Sequence, residues 1–246
     1  MKHKLKGVYL SEVDIELLSY LHAAKVGTYE KIARDIYPSY SIRGVGNRLR
    51  KLEDNHLIAV EHSRLLCGGK RMVTVTKGAF TEFVQKGGEH MVELRSEAVQ
   101  HDLILVDIRH RLLKSPKTVL YQTENEIQTW GSPEYRKLHS DAIVSMNFGK
   151  TTFDIPIEYE ASMKKVQRYE PIIKKYYQTS QFPFVAFIAS SPKILEKVKL
   201  LEKQLYNWDK PKFFYRTVTD FLADDALKIE NYYGAVLTLG CDLTGA

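Results

Sequence analysis

The segment DAIVSMNFGKTTFDIPIEYE at residues 141–160 decides how the second half of this chain folds. Two runs rich in apolar residues flank Gly149, so the pattern predicts two strands joined by a hairpin turn. Residues two apart in a strand share a face, which puts Glu158 and Glu160 on the same side. In a hairpin the end of the second strand lies beside the start of the first, so we expect both acids to lie near Asp141.

This gathering of acids predicts a metal site. Three carboxylates at one sheet edge repel one another unless a cation lies between them. Hard oxygen ligands of this kind are the ones that Mg²⁺ and Mn²⁺ prefer. The pattern therefore predicts that Asp141, Glu158 and Glu160 bind a divalent cation. The competing interpretation is that acidic residues at strand ends face water and do nothing more.

Length and composition place the chain among globular proteins. It has 246 residues, of which 44% are hydrophobic and 27% charged, enough for one large or two small domains. No apolar run approaches the roughly 18 residues that span a bilayer, and the N-terminus lacks the apolar core of a signal peptide. We therefore expect a cytoplasmic protein with no membrane partner. Cys67 and Cys241 have no spacing that indicates a disulfide or a zinc site.

Positive charge is concentrated in the N-terminal third. The formal net charge is +6, and residues 1–95 hold 16 Lys and Arg against 11 Asp and Glu. The rest of the chain holds 20 basic and 19 acidic residues, which nearly cancel. A local basic excess favours binding to a polyanion such as nucleic acid.

The same third contains three short helical patterns and a hairpin. The helices are predicted from Ser11 to Gly27, over 29–36 and over 42–55, the strands over 57–62 and 71–76, and a further helix over 79–84. The pattern over 42–55 has two faces. Val45, Leu49 and Leu52 form the apolar face, and the opposite face carries Arg43, Asn47, Arg48, Arg50 and Lys51.

This order of elements resembles a winged helix-turn-helix over about residues 9–84. The segment LRKLEDNHLI at 49–58 looks like the end of a recognition helix, and TYEKIA at 28–33 looks like the second helix of the motif. The resemblance implies that helix 42–55 enters the major groove of double-stranded DNA. The implied helix contacts are Arg43, Asn47, Arg48, Arg50 and Lys51, and the implied wing contacts are Arg64, Lys70 and Arg71. A winged helix can also serve as a protein-docking module, and this alternative stays open.

The Lys-Gly-Gly sequence at residues 86–88 predicts a hinge. We therefore predict an N-terminal domain over 1–86 and a second domain over 90–246. In the second domain we predict helices over 91–113, 162–177, 193–206 and 221–227, and strands over 118–127, 182–189, 213–218 and 233–239, with a loop over 130–139. The nearly all-apolar run 182–189 is typical of a strand buried on both faces. The predicted fold class is α+β: the N-terminal domain followed by an α/β/α domain around a mixed sheet.

The second domain resembles PD-(D/E)XK nucleases, which have the restriction-endonuclease-like fold. Asp141 matches the family's first acid and Glu158 the second, while Glu160 stands where the family has lysine. The resemblance implies that Lys164 or Lys165 supplies the missing lysine. It also implies that Glu97 or Asp102 adds an acid from the first helix, and that Mg²⁺ or Mn²⁺ supports phosphodiester cleavage.

The two domains together resemble the replication-relaxation family of plasmid and mobile-element proteins. The motifs are His101-Asp102-Leu103, the HSDA run at 139–142, the IEYE run at 157–160 and Arg168-Tyr169-Glu170. The resemblance implies a role on DNA in replication, mobilisation or regulation. Two functions stay open: a metal-dependent DNA-nicking enzyme, or a non-catalytic regulator whose second domain forms a homodimer or docks a partner. A third hypothesis is a small-effector pocket that includes Glu124, Glu126 and His139.

Overall fold

The computed structural model describes residues 4–5, 8–62, 69–85, 93–206 and 210–240, and they form two compact units of mixed α and β structure. Unit 1 takes in Met1–Val106 and Asn125–Ser132, and unit 2 takes in Asp107–Glu124 and Pro133–Ala246. The hinge predicted at 86–88 lies outside the described residues.

Unit 1 contains the three predicted helices and the predicted hairpin. Its described elements are β1 (Lys4–Leu5), β2 (Val8–Tyr9), α1 (Glu12–Ala24), β3 (Gly27–Thr28), α2 (Tyr29–Asp35), α3 (Ile42–Asp54), β4 (Ile58–His62), β5 (Arg71–Val75) and α4 (Lys77–Ala79), which runs into a π-helical turn, Phe80–Val84. Ser11, Thr28 and Ser41 cap the first three helices, because each hydroxyl accepts the backbone N–H three residues further on. Lys25, with φ of 59°, ends α1.

The core of unit 1 lies between the helices and a three-stranded antiparallel sheet of order β3-β5-β4. Leu17 and Leu21 of α1, Leu49 and Leu52 of α3, and Val73 of β5 are completely buried in one cluster. Residues at every third or fourth helical position thus bury one face, as the sequence pattern predicts.

Unit 1 also takes in a segment far along the chain, and here the sequence prediction is wrong. The strand predicted over 118–127 ends as β6 (Thr118–Thr123), and α6 (Glu124–Trp130) follows. Thr123 pairs with Ala142, the first residue of the neighbouring strand. Beyond Thr123 the strand has no partner on that side, so it ends there. Glu124 and Glu126 therefore lie on a helix and not at alternate positions of a strand.

A buried histidine explains why this segment belongs to unit 1. His22 of α1 is completely buried and stacks on Phe80 with ring centroids 4.6 Å apart. Asn125 Nδ2 donates to the His22 carbonyl at 2.8 Å and to the Glu93 carbonyl at 2.7 Å. Thr129 Oγ1 lies 3.2 Å from His22 Nε2 and donates to the Asn125 carbonyl, so Nε2 carries the histidine proton. These hydrogen bonds join α1 and α6.

The helix predicted from residue 91 begins later, as α5 (Val99–Leu113). Residues 93–98 have no regular structure, and 91–92 lie outside the described residues. The bond from Asn125 to the Glu93 carbonyl is a tertiary interaction that helix propensity cannot reveal. The boundary between the two units falls within α5, between Val106 and Asp107.

Unit 2 is built on a seven-stranded mixed sheet. Its remaining elements are α7 (Pro133–Leu138), β7 (Ala142–Phe148), β8 (Thr151–Glu160), α8 (Val166–Gln178), β9 (Val185–Ala189), α9 (Pro192–Leu205), β10 (Phe213–Thr217), α10 (Val218–Ala223), β11 (Lys228–Glu230) and β12 (Val236–Thr238). The strand order is β12-β11-β10-β9-β8-β7-β6. Neighbours β8, β9 and β10 are parallel, and the other pairs are antiparallel. The predicted mixed sheet is thus confirmed.

Several boundaries in unit 2 differ from the sequence prediction. The loop predicted over 130–139 contains α7, and the single strand predicted over 233–239 is the shorter β12, preceded by the unpredicted β11. The predicted burial of the strand within 182–189 is confirmed, since every residue of β9 is buried.

The predicted hairpin positions the acidic residues. β7 and β8 pair in antiparallel register from Phe148 opposite Thr151 to Ala142 opposite Ile157. Gly149 makes the turn with φ of 65°, a left-handed conformation that glycine adopts without steric strain. The register places Asp141 next to Glu158 across the two strands.

Candidate functional site

Helix α3 presents an exposed polar face on unit 1. Val45, Leu49 and Leu52 are completely buried, which turns the opposite face outward. The side chains of Arg43, Asn47, Arg50 and Lys51 are exposed on that face. Within the part of the chain that the structure describes, Arg43, Arg50 and Lys51 have no acidic partner in an ion pair. Their charge is therefore available to an anionic partner.

Arg48 differs from the other basic residues of α3. Its Nε donates to Asp14 Oδ1 at 2.8 Å, its Nη2 contacts Asp14 Oδ2, and Nη2 also donates to the Tyr9 carbonyl at 2.8 Å. Asp14 is completely buried and accepts a further hydrogen bond of 2.8 Å from Tyr37 Oη. Arg48 thus joins α3 to α1, and its guanidinium is occupied by contacts within unit 1.

The pKa of Asp14 agrees with its role as the charged partner of Arg48. Burial acts to raise the pKa of Asp14, but hydrogen bonds from Arg48, Ser11 and Tyr37 outweigh it and leave the pKa below its ordinary value. Asp14 is therefore charged at neutral pH inside unit 1. The ion pair fixes the orientation of α3, and with it the direction of the exposed basic side chains.

The hairpin strand β5 begins with two exposed basic residues, Lys70 just before it and Arg71 as its first residue. The Arg71 guanidinium lies 5.5 Å from the centre of the Tyr29 ring. Tyr29 also packs on α3, where a Cβ on Gly46 would lie 3.4 Å from the tyrosine ring. Arg64, the third predicted wing residue, lies outside the described residues.

In unit 2 the structure brings two of the three predicted acids together. Asp141 lies just before β7, and its Oδ2 accepts the backbone N–H of Tyr159 at 2.7 Å. The side chain thus takes the place of a backbone carbonyl that a longer β7 would have supplied. Glu158 accepts a hydrogen bond from Tyr176 Oη of α8, and Lys175 Nζ lies 3.9 Å from the same carboxylate. Only 13% of the Glu158 side chain is exposed.

The closeness of Asp141 changes the acidity of Glu158. Burial raises the pKa of Glu158 and the negative charge of Asp141 raises it further, to about 8, against the opposing effect of Lys175. At neutral pH the Glu158 carboxyl therefore holds its proton, unless a cation beside it stabilises the charged form. A carboxylate pair with this property is a chemically suitable place for a divalent ion.

Glu160, the third predicted acid, is held in a local ion pair. Its Oε2 lies 2.8 Å from Lys164 Nζ, and its Oε1 accepts the Ser162 N–H at 3.3 Å. The residue is 5% exposed. Glu160 is thus neutralised by Lys164, one of the two lysines that the nuclease resemblance implies as a catalytic group. Lys165, the other, is exposed.

The further acids implied for the metal belong to unit 1. Glu97 precedes α5 and is exposed, and Asp102 lies 3.1 Å from His101 Nδ1. Across the described ranges, no group of three His, Cys, Asp or Glu residues is arranged to hold a metal ion. Of the predicted metal ligands, the structure thus brings together only Asp141 and Glu158.

Among the residues the structure covers, no helix combines the length and apolar character needed to cross a membrane. Comparison with protein-family models, with curated proteins and with solved structures gives no significant match.

Proposed function

We propose that this chain is a double-stranded DNA-binding protein in which unit 1 acts as a winged helix-turn-helix. The observation that supports this proposal is the outer face of α3, where Arg43, Asn47, Arg50 and Lys51 are exposed together. The inner face of the same helix is buried and its orientation is held by the Arg48–Asp14 ion pair. A rigid, basic, exposed helix is the feature that DNA-binding domains of this class insert into the major groove.

The exposed residues divide by chemistry into two kinds of contact. Arginine and asparagine side chains read base edges through paired hydrogen bonds, so Arg43 and Asn47, near the N-terminus of α3, are the proposed base contacts. The proposed contacts to phosphate oxygens are Lys51, at the other end of α3, and Lys70 and Arg71 of the hairpin. Arg50 serves either role. Arg48, bound to Asp14, positions the helix and is not a proposed contact.

The test is binding of labelled duplex DNA at several salt concentrations, measured by fluorescence anisotropy. Lys51→Ala should weaken binding on all sequences alike and reduce the slope of log K against log salt by roughly 0.9. Arg43→Ala should weaken binding most on the preferred sequence. The matched control is Lys150→Ala, which removes an exposed lysine at the β7–β8 turn of unit 2. Equal affinity of the α3 variants and wild type would refute the proposal.

A second candidate function is metal-dependent cleavage of DNA by unit 2. It is favoured by one specific observation, the pair of Asp141 and Glu158, in which burial and then the negative charge of Asp141 raise the pKa of Glu158. These two carboxylates would hold Mg²⁺ or Mn²⁺, which supplies an activated water and neutralises charge on a phosphodiester. Lys175 Nζ lies 3.9 Å from Glu158, and Lys164 places positive charge at the same end of the hairpin, 2.8 Å from Glu160.

Nicking of supercoiled plasmid in Mg²⁺ or Mn²⁺ tests this second function. Asp141→Asn and Glu158→Gln should abolish nicking, while the exposed Glu230→Gln of β11 should keep it. DNA binding without nicking in any metal would instead support a non-catalytic regulator, with unit 2 serving dimerisation or partner docking. Either outcome is compatible with the proposed role in plasmid replication, mobilisation or regulation.

A further inference from the structure

A small cavity lies in unit 1 on the opposite face of the hairpin sheet from the main core. Its volume is about 90 Å³, and its apolar wall consists of Val26, Met72 and Val99. Met72 and Thr74 share one face of β5, whereas Val73 and Val75 face the main core. Arg95 and Ser96, from the segment that leads into α5, line the cavity on this second face together with Val99.

Two hydroxyl groups in the cavity have no hydrogen-bond partner among the described residues. Thr74 is 7% exposed, and neither its Oγ1 nor the buried Oγ of Ser96 bonds to any residue that the structure describes. Both residues line the cavity. Buried hydroxyls in folded proteins are nearly always satisfied by protein, water or ligand. Two unsatisfied hydroxyls that line one cavity therefore indicate that a polar molecule belongs between them.

Opposite charges flank the same cavity. Arg95 Nη1 lies 3.5 Å from Glu61 Oε1, and both side chains line the cavity while remaining largely exposed, 72% for Arg95 and 52% for Glu61. An exposed ion pair of this kind is weak and easily exchanged for other partners. A guanidinium next to a carboxylate is complementary to a molecule that carries both a carboxylate and an ammonium group.

From these features we infer that unit 1 binds a small zwitterionic α-amino acid with a polar side chain, of the size of serine or threonine. Its carboxylate pairs with Arg95 and its ammonium with Glu61. Its side-chain hydroxyl bonds to Thr74 and Ser96, and the remaining surface contacts Met72 and Val99. The cavity has room for several waters or one such molecule. This site does not depend on the DNA-binding proposal, since none of its residues lies on α3.

Calorimetric titration of the full chain with L-serine and L-threonine tests the inference. We expect saturable binding of these amino acids, and none of lactate or ethanolamine, each of which lacks one of the two charges. Thr74→Val and Ser96→Ala should each weaken binding about five-fold, the loss of one hydrogen bond. Arg95→Gln should weaken it by about ten-fold or more, because a charged contact is lost.

Matched controls separate the site from general effects. Thr151→Val removes an exposed strand hydroxyl in unit 2, and Arg168→Gln removes an exposed arginine there. Both should bind the amino acid as wild type does. Without ligand, Thr74→Val should melt at the wild-type temperature or above, because an unsatisfied hydroxyl is removed. Absence of saturable binding, or a Thr74→Val variant that melts several degrees lower without ligand, would overturn the inference and assign the cavity to bound water.

Discussion

Arg48 and Asp14 are separated by 34 residues in the chain and form an ion pair that joins α3 to α1, between a completely buried carboxylate and a partly exposed guanidinium. The arginine stands on the helix whose neighbouring basic residues are exposed, yet its own guanidinium is turned inward. A basic residue on the proposed DNA-binding helix can therefore orient the helix without contacting DNA. The pair links the stability of unit 1 to its proposed function.

Arg48→Met should lower the free energy of unfolding by about 3 kcal/mol, because it leaves the Asp14 carboxylate buried without its charged partner. The control Arg50→Met, two residues further on and exposed, should change it by about 0.5 kcal/mol or less. Urea unfolding followed by circular dichroism measures both. If the two variants lose the same stability, the ion pair does not hold α3. The double variant Asp14→Leu with Arg48→Met should recover part of the loss.

The raised pKa of Glu158 predicts an unusual dependence of the folding stability on pH. Its pKa is raised to about 8 in the folded protein, so the folded state binds the proton more tightly than the unfolded chain does. Stability from this group is fully present below the unfolded pKa of about 4.3 and is lost as pH rises through 8. Glu158→Gln mimics the protonated form and should be more stable than wild type by on the order of 2–4 kcal/mol at alkaline pH.

The difference between Glu158→Gln and wild type should vanish near pH 4, where both side chains are neutral. Urea unfolding across this pH range measures it, with Glu230→Gln as the exposed control. A constant difference at all pH values would contradict the assigned cause. Addition of Mg²⁺ should stabilise wild type at alkaline pH and leave Glu158→Gln unchanged, if the carboxylate pair holds the ion.

His22 has the opposite pH dependence. Burial lowers its pKa to about 4, so the unfolded chain binds the proton more tightly than the folded protein does. Stability from neutral His22 is present above the unfolded pKa of about 6.5 and is lost as pH falls toward 4, by about 3 kcal/mol in total. His22→Leu should flatten the stability profile between these pH values, whereas exposed His62→Gln should keep it. An unchanged slope in His22→Leu would show that another group causes acid unfolding.

Glu202 of α9 is completely buried and joins three elements of unit 2. Its carboxylate accepts hydrogen bonds from Tyr177 Oη at 2.7 Å, from Tyr215 Oη at 2.8 Å and from the Phe213 N–H at 3.2 Å. Tyr215→Phe should lower the free energy of unfolding by about 1–2 kcal/mol, because the buried carboxylate loses a donor. Tyr233→Phe, on a tyrosine that is 53% exposed, is the control and should change little. Equal effects in urea unfolding would rule out the network as the cause.

The sequence alone was sufficient for features that depend on local geometry. Ser11 predicts the start of α1, Gly149 predicts the hairpin turn, and the spacing of Val45, Leu49 and Leu52 predicts which face of α3 is exposed. Caps, turns and helix faces follow from residues within about one turn of each other, so a single chain segment contains all the information.

Tertiary structure alone decided where the polar groups of the interior find their partners. The pairing of Arg48 with Asp14, of Glu158 with Tyr176, and of Asn125 with the His22 carbonyl joins residues distant in sequence. Such partners cannot be derived from spacing, because a buried polar group is satisfied by whichever donor or acceptor packing brings within about 3 Å. For the same reason α6 replaced the end of a predicted strand. Only the folded chain shows that the hydroxyls of Thr74 and Ser96 have no partner within the described ranges.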